Sequence, residues 1–123
     1  MTNERYIANA DKILRQVEAG KIVLYAPDLA KCEVANALLK GKQLEEDEAR
    51  IALHTLYNFP ITFVTENEKT AKRSFAIAKQ FDITYYDAVF VVLADMMHAT
   101  LVTENIKHQG KVAQNNVVAL RDY

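Results

Sequence analysis

Four short apolar runs limit what this chain can fold into. They are "KIVLYAP" at 21–27, "ITFVT" at 61–65, "TLVT" at 100–103 and "NVVAL" at 116–120. Each has the length of a buried strand, and the stretches between them carry helical periodicity. Short apolar strands alternating with helices argue for a parallel sheet covered on both faces. The spacing predicts a single α/β domain over residues 1–123, a three-layer α/β/α sandwich with a four-stranded parallel sheet.

The helices are marked by their ends. Residues 5–19 place Ile7, Ala10, Leu14 and Val17 on one stripe, and Gly20 stands where a C-terminal cap is expected. Residues 28–41 follow, ended by Gly41, and then 45–57, 66–81 and 83–99. The last of these, "ITYYDAVFVVLADMMHA", is apolar nearly all round and is therefore expected inside the fold. A short helix is expected near 105–113. The chain opens on a helix with no strand before it.

Composition removes several function classes. The formal net charge is −1, so no global field draws in a polyanion, and a nucleic-acid ligand needs a local basic patch or a bound metal. The single cysteine, Cys32, excludes an internal disulfide and fits a reducing, cytoplasmic setting. The longest strongly apolar run, "AVFVVLA" at 88–94, is far short of the ~20 residues that cross a bilayer. The first residues, "MTNERYIANADKIL", lack a signal-peptide core. His54, His98 and His108 have no zinc-ligand spacing, and neither a glycine-rich phosphate loop nor a nucleophile elbow occurs.

Ligands of open parallel sheets bind outside the carboxyl ends of the strands, so residues just after each strand are the candidates. Glu33 lies one turn into the second helix, flanked by Asn36. A solvent-facing glutamate is the blander account of it. Asp87 is the stronger candidate, because it sits against "AVFVVLA", where a charge is costly unless paired or bound. Thr84-x-x-Asp87 also has the form of a capping box, which alone accounts for an acid there. Glu104 and Asn105 follow "TLVT". Asp28 and Asp82 read as turn or capping residues, and Asp95 as the outward turn of its helix. Lys69, Lys72 and Arg73, and likewise Lys107, His108 and Lys111, form basic clusters able to contact phosphate; the first reads rather as a solvated face.

"FVTEN" at 63–67 and "LVTEN" at 101–105 share four residues, yet the flanking sequences diverge at once. A duplicated unit extends over ~20 residues or more. The two copies read as the same local device, a strand end with Thr capping the next helix.

"LYAPDLAKCEVANALLK" and "ITYYDAVFVVLADMMHATLVTEN" together resemble the PIN domain, specifically the VapC-like toxins of prokaryotic toxin–antitoxin pairs. The matching segments are Glu33-Val34-Ala35-Asn36-Ala37-Leu38, Asp87-Ala88 and the strand ending in Val102-Thr103. The resemblance implies an endoribonuclease dependent on Mg²⁺ or Mn²⁺, with an RNA substrate, a cognate antitoxin and a homodimeric state. It implies catalytic roles for Glu33, Asp87 and Asn105, and metal contacts from Glu33, Asp87, Glu104 and Asn105.

Two departures bear on activity. The family opens on a strand bearing an aspartate, in the middle of its sheet, and residues 1–4 leave no room for it. The family's last acid is Asn105 here. The expectation is an N-terminally truncated PIN domain with low nuclease activity, or a degenerate PIN module that binds RNA or a partner protein without cutting. A gap in a buried sheet is costly, so the first and third strands are expected to pair directly or to have the gap filled.

Overall fold

The structure, a computed structural model, describes residues 2–112 and 116–123, with side chains described from residue 5 onward. Helix α1 (Thr2–Glu18) leads to β1 (Leu24–Pro27), α2 (Leu29–Asn36) and a π-helical turn (Ala37–Gly41). Helix α3 (Glu46–Asn58), β2 (Ile61–Val64), α4 (Glu68–Phe81) and α5 (Tyr85–Met96) follow. Strand β3 (Leu101–Thr103), α6 (Ile106–Gln109), β4 (Val117–Ala119) and a 3₁₀ turn (Leu120–Asp122) complete the chain. The expected alternation of helices and parallel strands is present. The helix expected near 105–113 covers only Ile106–Gln109, and residue 113 lies outside the described residues.

The ends of α1 and α5 follow from local chemistry. Gly20 takes φ +72°, and the amides of Gly20 and Lys21 donate to Val17 and Gln16, closing the glycine cap the sequence announced. Thr84 caps α5 by accepting from the Asp87 amide at 3.0 Å. Between α4 and α5, Asp82 adopts φ +52°, a turn role it can fill because aspartate tolerates the left-handed region.

Helix α5 is the core element. Ala88, Val91, Val92, Leu93 and Ala94 are buried, so its all-round apolar sequence is matched by all-round packing. It packs on α4, on β1 and on β3. Val91 and Ala94 join Leu101 and Val112 in one cluster, flanked by Ile77, Phe81 and Phe90. The stripe on α1 behaves otherwise: Val17 is buried, but Ile7 is 69% exposed. What ties α1 down is the C-terminus. Asn9 donates to the Leu120 carbonyl at 2.9 Å, and the Tyr123 hydroxyl donates to Gln16 at 2.6 Å.

The four strands among the described residues do not form one sheet. Strand β1 pairs in parallel with β2, and β3 in parallel with β4. The exits of β2 and β3 both meet the first turn of α5, through Glu66–Tyr85 and Asn105–Asp87. The direct pairing expected between the first and third strands is not made. Among the described residues a slot of about 180 Å³ separates β1 from β3, walled by Tyr25, Pro27 and Val102 and by Phe90 and Leu93 of α5. The reason is local. Residues 2–18, which stand before β1, are helical, and Ile13 of α1 lies across the slot instead of a strand within it.

Alternation in a parallel ladder identifies the groups that face the slot. Asp28 donates to Val64, so the even-numbered residues of β1 point to β2 and Tyr25 points away. Leu101 donates to Asn116, so Val102 likewise points away from β4. The amides of Tyr25 and Val102 are therefore expected to exchange with solvent deuterium at least about tenfold faster than those of Ala26 and Thr103. Equal protection at all four, measured by NMR hydrogen exchange, would show the slot closed in solution.

Candidate active site

The parallel register sets Pro27 opposite Val64, so the next residues on each strand, Asp28 and Thr65, come side by side. The Thr65 hydroxyl donates to Asp28 Oδ2 at 2.6 Å, and Lys31 Nζ stands 3.4 Å from Oδ1. The Thr65 bond is the main influence holding the Asp28 carboxyl below its ordinary range; desolvation opposes it and Lys31 adds to it. Its contribution to stability is present above the ordinary carboxylate range and is lost as acid brings the pH through the lowered value. Lys31 also lies over the rings of Phe63, at 4.3 Å, and Tyr57, at 5.0 Å, tying α2 to β2 and α3.

The two Thr-Glu-Asn segments do different work. In neither does the threonine cap the following helix, as the sequence suggested. Asn67 caps α4, accepting from the Thr70 amide at 2.9 Å while the Thr70 hydroxyl reaches back to the Asn67 amide. That releases Thr65 to bond Asp28 and Glu66 to accept from the Tyr85 hydroxyl at 2.7 Å. Asn105 also stands at a helix N-cap, but it makes no side-chain cap bond. Its amide donates instead to Asp87 Oδ1 at 3.0 Å, and its backbone N–H is steadied by Thr103 Oγ1 at 2.9 Å.

Asp87 thus has two ties to the exit of β3. Asn105 holds its carboxylate, and Gln109 of α6 donates to its backbone carbonyl at 3.2 Å. Of the capping box read in Thr84-x-x-Asp87, the threonine half is formed, while the carboxylate is engaged by Asn105. Gln109 is 4% exposed, and its Oε1 has no partner among the described residues.

Glu33 is exposed on α2, and Glu104 is exposed just after β3. Of the sequence-derived candidates, the structure joins Asp87 to Asn105; among the described residues no three acidic, histidine or cysteine side chains gather as a cation cluster. Oxygen donors are the right kind for Mg²⁺ or Mn²⁺. The number is short, however, and Asn105 turns its nitrogen rather than its oxygen to Asp87. As arranged, the described residues do not fit a fully ligated cation site. The basic face of α4 is structural: Lys72 pairs with Glu68 at 2.7 Å and Arg73 pairs with Asp95 of α5.

The architecture matches a known family. Residues 6–114 correspond to the PIN domain. The chain belongs to the PIN domain family. It is similar to Ribonuclease VapC3 of Pyrobaculum aerophilum, at 38% identity over 84 residues, which cover 65% of this chain and 64% of that protein. The chain therefore spans just under two thirds of that relative's length. Among solved structures it is similar to a toxin–antitoxin complex from Klebsiella pneumoniae, with a TM-score of 0.57 and 23% identity, covering 76% of this chain and 71% of that one. At that identity the likeness speaks for the PIN fold.

Sequence reasoning passed over Asp28, Thr65, Glu66 and Tyr85. The available signal was the equal position of Asp28 and Thr65, each the first residue after a strand. It becomes a contact only once those strands are known to be neighbours in register.

The Glu66 carboxylate raises the Tyr85 phenol from the ordinary 10.0 to about 12, because ionising it would remove the donated proton and set two negative charges together. A raised phenol favours the fold below its ordinary value, and that contribution is lost as the pH rises from about 10 to about 12. Of the six tyrosines, Tyr85 is expected to contribute a phenolate absorbance step near pH 12. That step should move down in Glu66→Gln and vanish in Tyr85→Phe; an alkaline titration unchanged by either substitution would contradict the pairing.

Proposed function

We propose that this chain is a VapC-like ribonuclease of a toxin–antitoxin pair, acting on RNA phosphodiester bonds with low activity in the form described. The observation that carries the reading is the Asp87–Asn105 couple at the exits of parallel strands in a PIN domain. The acid held in place is Asp87, and Glu33 and Asn105 are its catalytic companions. The relatives, one a ribonuclease and one a toxin–antitoxin complex, support this class of substrate and partner.

In this reading Asp87 presents its free carboxylate oxygen to an attacking water, accepting a hydrogen bond and orienting it. Asn105 fixes the rotamer of Asp87. Lys107, His108 and Lys111 supply the phosphate contacts, since a bare carboxylate repels RNA. The cofactor proposed is a divalent cation, Mg²⁺ or Mn²⁺, with Glu33, Asp87, Glu104 and Asn105 as its contacts; holding it requires these side chains to come together, since as arranged only Asp87 and Asn105 are joined. Asn105 lacks the charge that an aspartate would bring, and its amide closes on Asp87. That is the physical basis for low activity.

The proposed partners are a cognate antitoxin and a second copy of the chain. Exposed apolar side chains on the π-helical turn and α3, namely Leu39, Ile51 and Tyr57, support further assembly. No helix among the described residues is long and apolar enough to cross a membrane, and a cytoplasmic setting is part of the proposal. The Asn105–Asp87 bond also favours a second reading, a degenerate PIN module that binds RNA or a partner protein without cleavage.

The test is cleavage of labelled RNA with Mn²⁺ by the wild type, Asp87→Asn and Asn105→Asp. Slow wild-type cleavage, its loss in Asp87→Asn and a gain of about tenfold or more in Asn105→Asp are expected. Fast wild-type cleavage would refute the low activity. RNA binding without cleavage in wild type and Asn105→Asp alike would select the module.

A further inference from the structure

A second feature lies at the same end of the strands. Where β1 and β2 exit, α4 and the first turns of α5 enclose a pocket of about 240 Å³. Its inner wall is apolar, built from Val64, Val89, Val92 and Leu93. Its polar groups are Asp28, Thr65, Glu66, Tyr85 and the hydroxyls of Thr70 and Ser74. The Tyr86 ring, 61% exposed, stands beside them, one residue before Asp87.

What the pocket can accept follows from which groups are already engaged. The Thr65 hydroxyl donates to Asp28, the Tyr85 hydroxyl to Glu66, and the Thr70 hydroxyl to the Asn67 carbonyl. These donors are in use. Ser74 is 1% exposed, so apart from the Tyr86 hydroxyl the capacity left is that of acceptors: a carboxylate offers about four lone-pair sites, and Glu66 has one oxygen outside the Tyr85 bond. The complement is a neutral molecule with an apolar face and an edge of N–H donors. A phosphate or a carboxylate would meet Asp28 and Glu66 and be repelled. The volume lies below the range of about 300–1,000 Å³ of drug-sized sites, which suits one flat ring system.

Nucleobases carrying an exocyclic amine have this form. Guanine fits best, since adjacent N–H donors on its pairing edge can face the two oxygens of one carboxylate. Uracil lacks such an amine. Bases taken out of a strand are commonly read on that edge while their faces rest on aromatic or apolar side chains. We infer that this pocket holds one amino-bearing base of a bound RNA, guanine above the others, with Glu66 reading its edge and Tyr86 covering its face. Base binding fixes which phosphate stands at Asp87. The link to cleavage rests on the ribonuclease reading; the base site itself does not.

The experiment is titration of the ¹⁵N-labelled chain with guanosine, cytidine and uridine, followed by the amide resonances of Thr65, Glu66, Tyr85 and Tyr86. Guanosine is expected to shift all four, cytidine more weakly, and uridine not at all. Glu66→Gln should weaken guanosine about tenfold or more. Tyr86→Ala, at an exposed position, should weaken every base about fivefold or more. No shift with any nucleoside, equal shifts with all three, or a Glu66→Gln chain that binds guanosine unchanged would overturn the assignment. Shifts of these amides with arginine amide but with no nucleoside would overturn it too, and give the pocket to a protein side chain. The two readings fail separately. Guanosine binding without RNA cleavage removes the ribonuclease and keeps the base site, and cleavage without nucleoside binding does the reverse.

Discussion

The burial of one helix sets everything else in position. Helix α5 packs its apolar surface against α4, β1 and β3, and its first turn carries Tyr85, Tyr86 and Asp87 to the strand exits. A carboxylate at the head of so apolar a helix is tolerable because it lies at the mouth, where the helix dipole is positive and Asn105 donates a hydrogen bond. Thr84 completes the arrangement by capping the turn on which Asp87 sits.

Around that helix, the two Thr-Glu-Asn segments show how little a shared tripeptide decides. In the first, the asparagine turns its oxygen to a helix amide and becomes a cap, which leaves the threonine and glutamate for Asp28 and Tyr85. In the second, the asparagine turns its nitrogen to Asp87 and the cap goes unmade. The difference lies in what stands opposite. Before α4 the Thr70 backbone offers a donor three residues on; beside β3 a carboxylate from α5 offers an acceptor.

Much of the fold was legible because it depends on local periodicity. Gly20 ended α1, Thr84 began α5, and the all-apolar run from Ala88 to Ala94 went inside. The Asp87–Asn105 neighbourhood was legible in part: Asn105 follows the strand-exit rule, Asp87 stood out as a charge at the head of an apolar helix, and both fall in the PIN motifs. What stayed hidden depends on register between elements distant in sequence. The Asp28–Thr65 bond crosses 37 positions, and the Gln109 tie to Asp87 crosses 22. The division of the sheet was hidden for a related reason. Periodicity marks strands, but pairing depends on which strand lies beside which.

The slot between β1 and β3 has a consequence for precision. In a continuous sheet, the distance between two strand exits is fixed by a row of backbone hydrogen bonds. Here the exit of β2, with Glu66, and the exit of β3, with Asn105, belong to separate ladders. They share a reference in α5, one through Tyr85 and the other through Asp87, two residues apart on the same turn. The helix serves as the ruler of the site. Movement of one ladder against the other is then read at its first turn, as a change in the angle between the tyrosine rings and the aspartate.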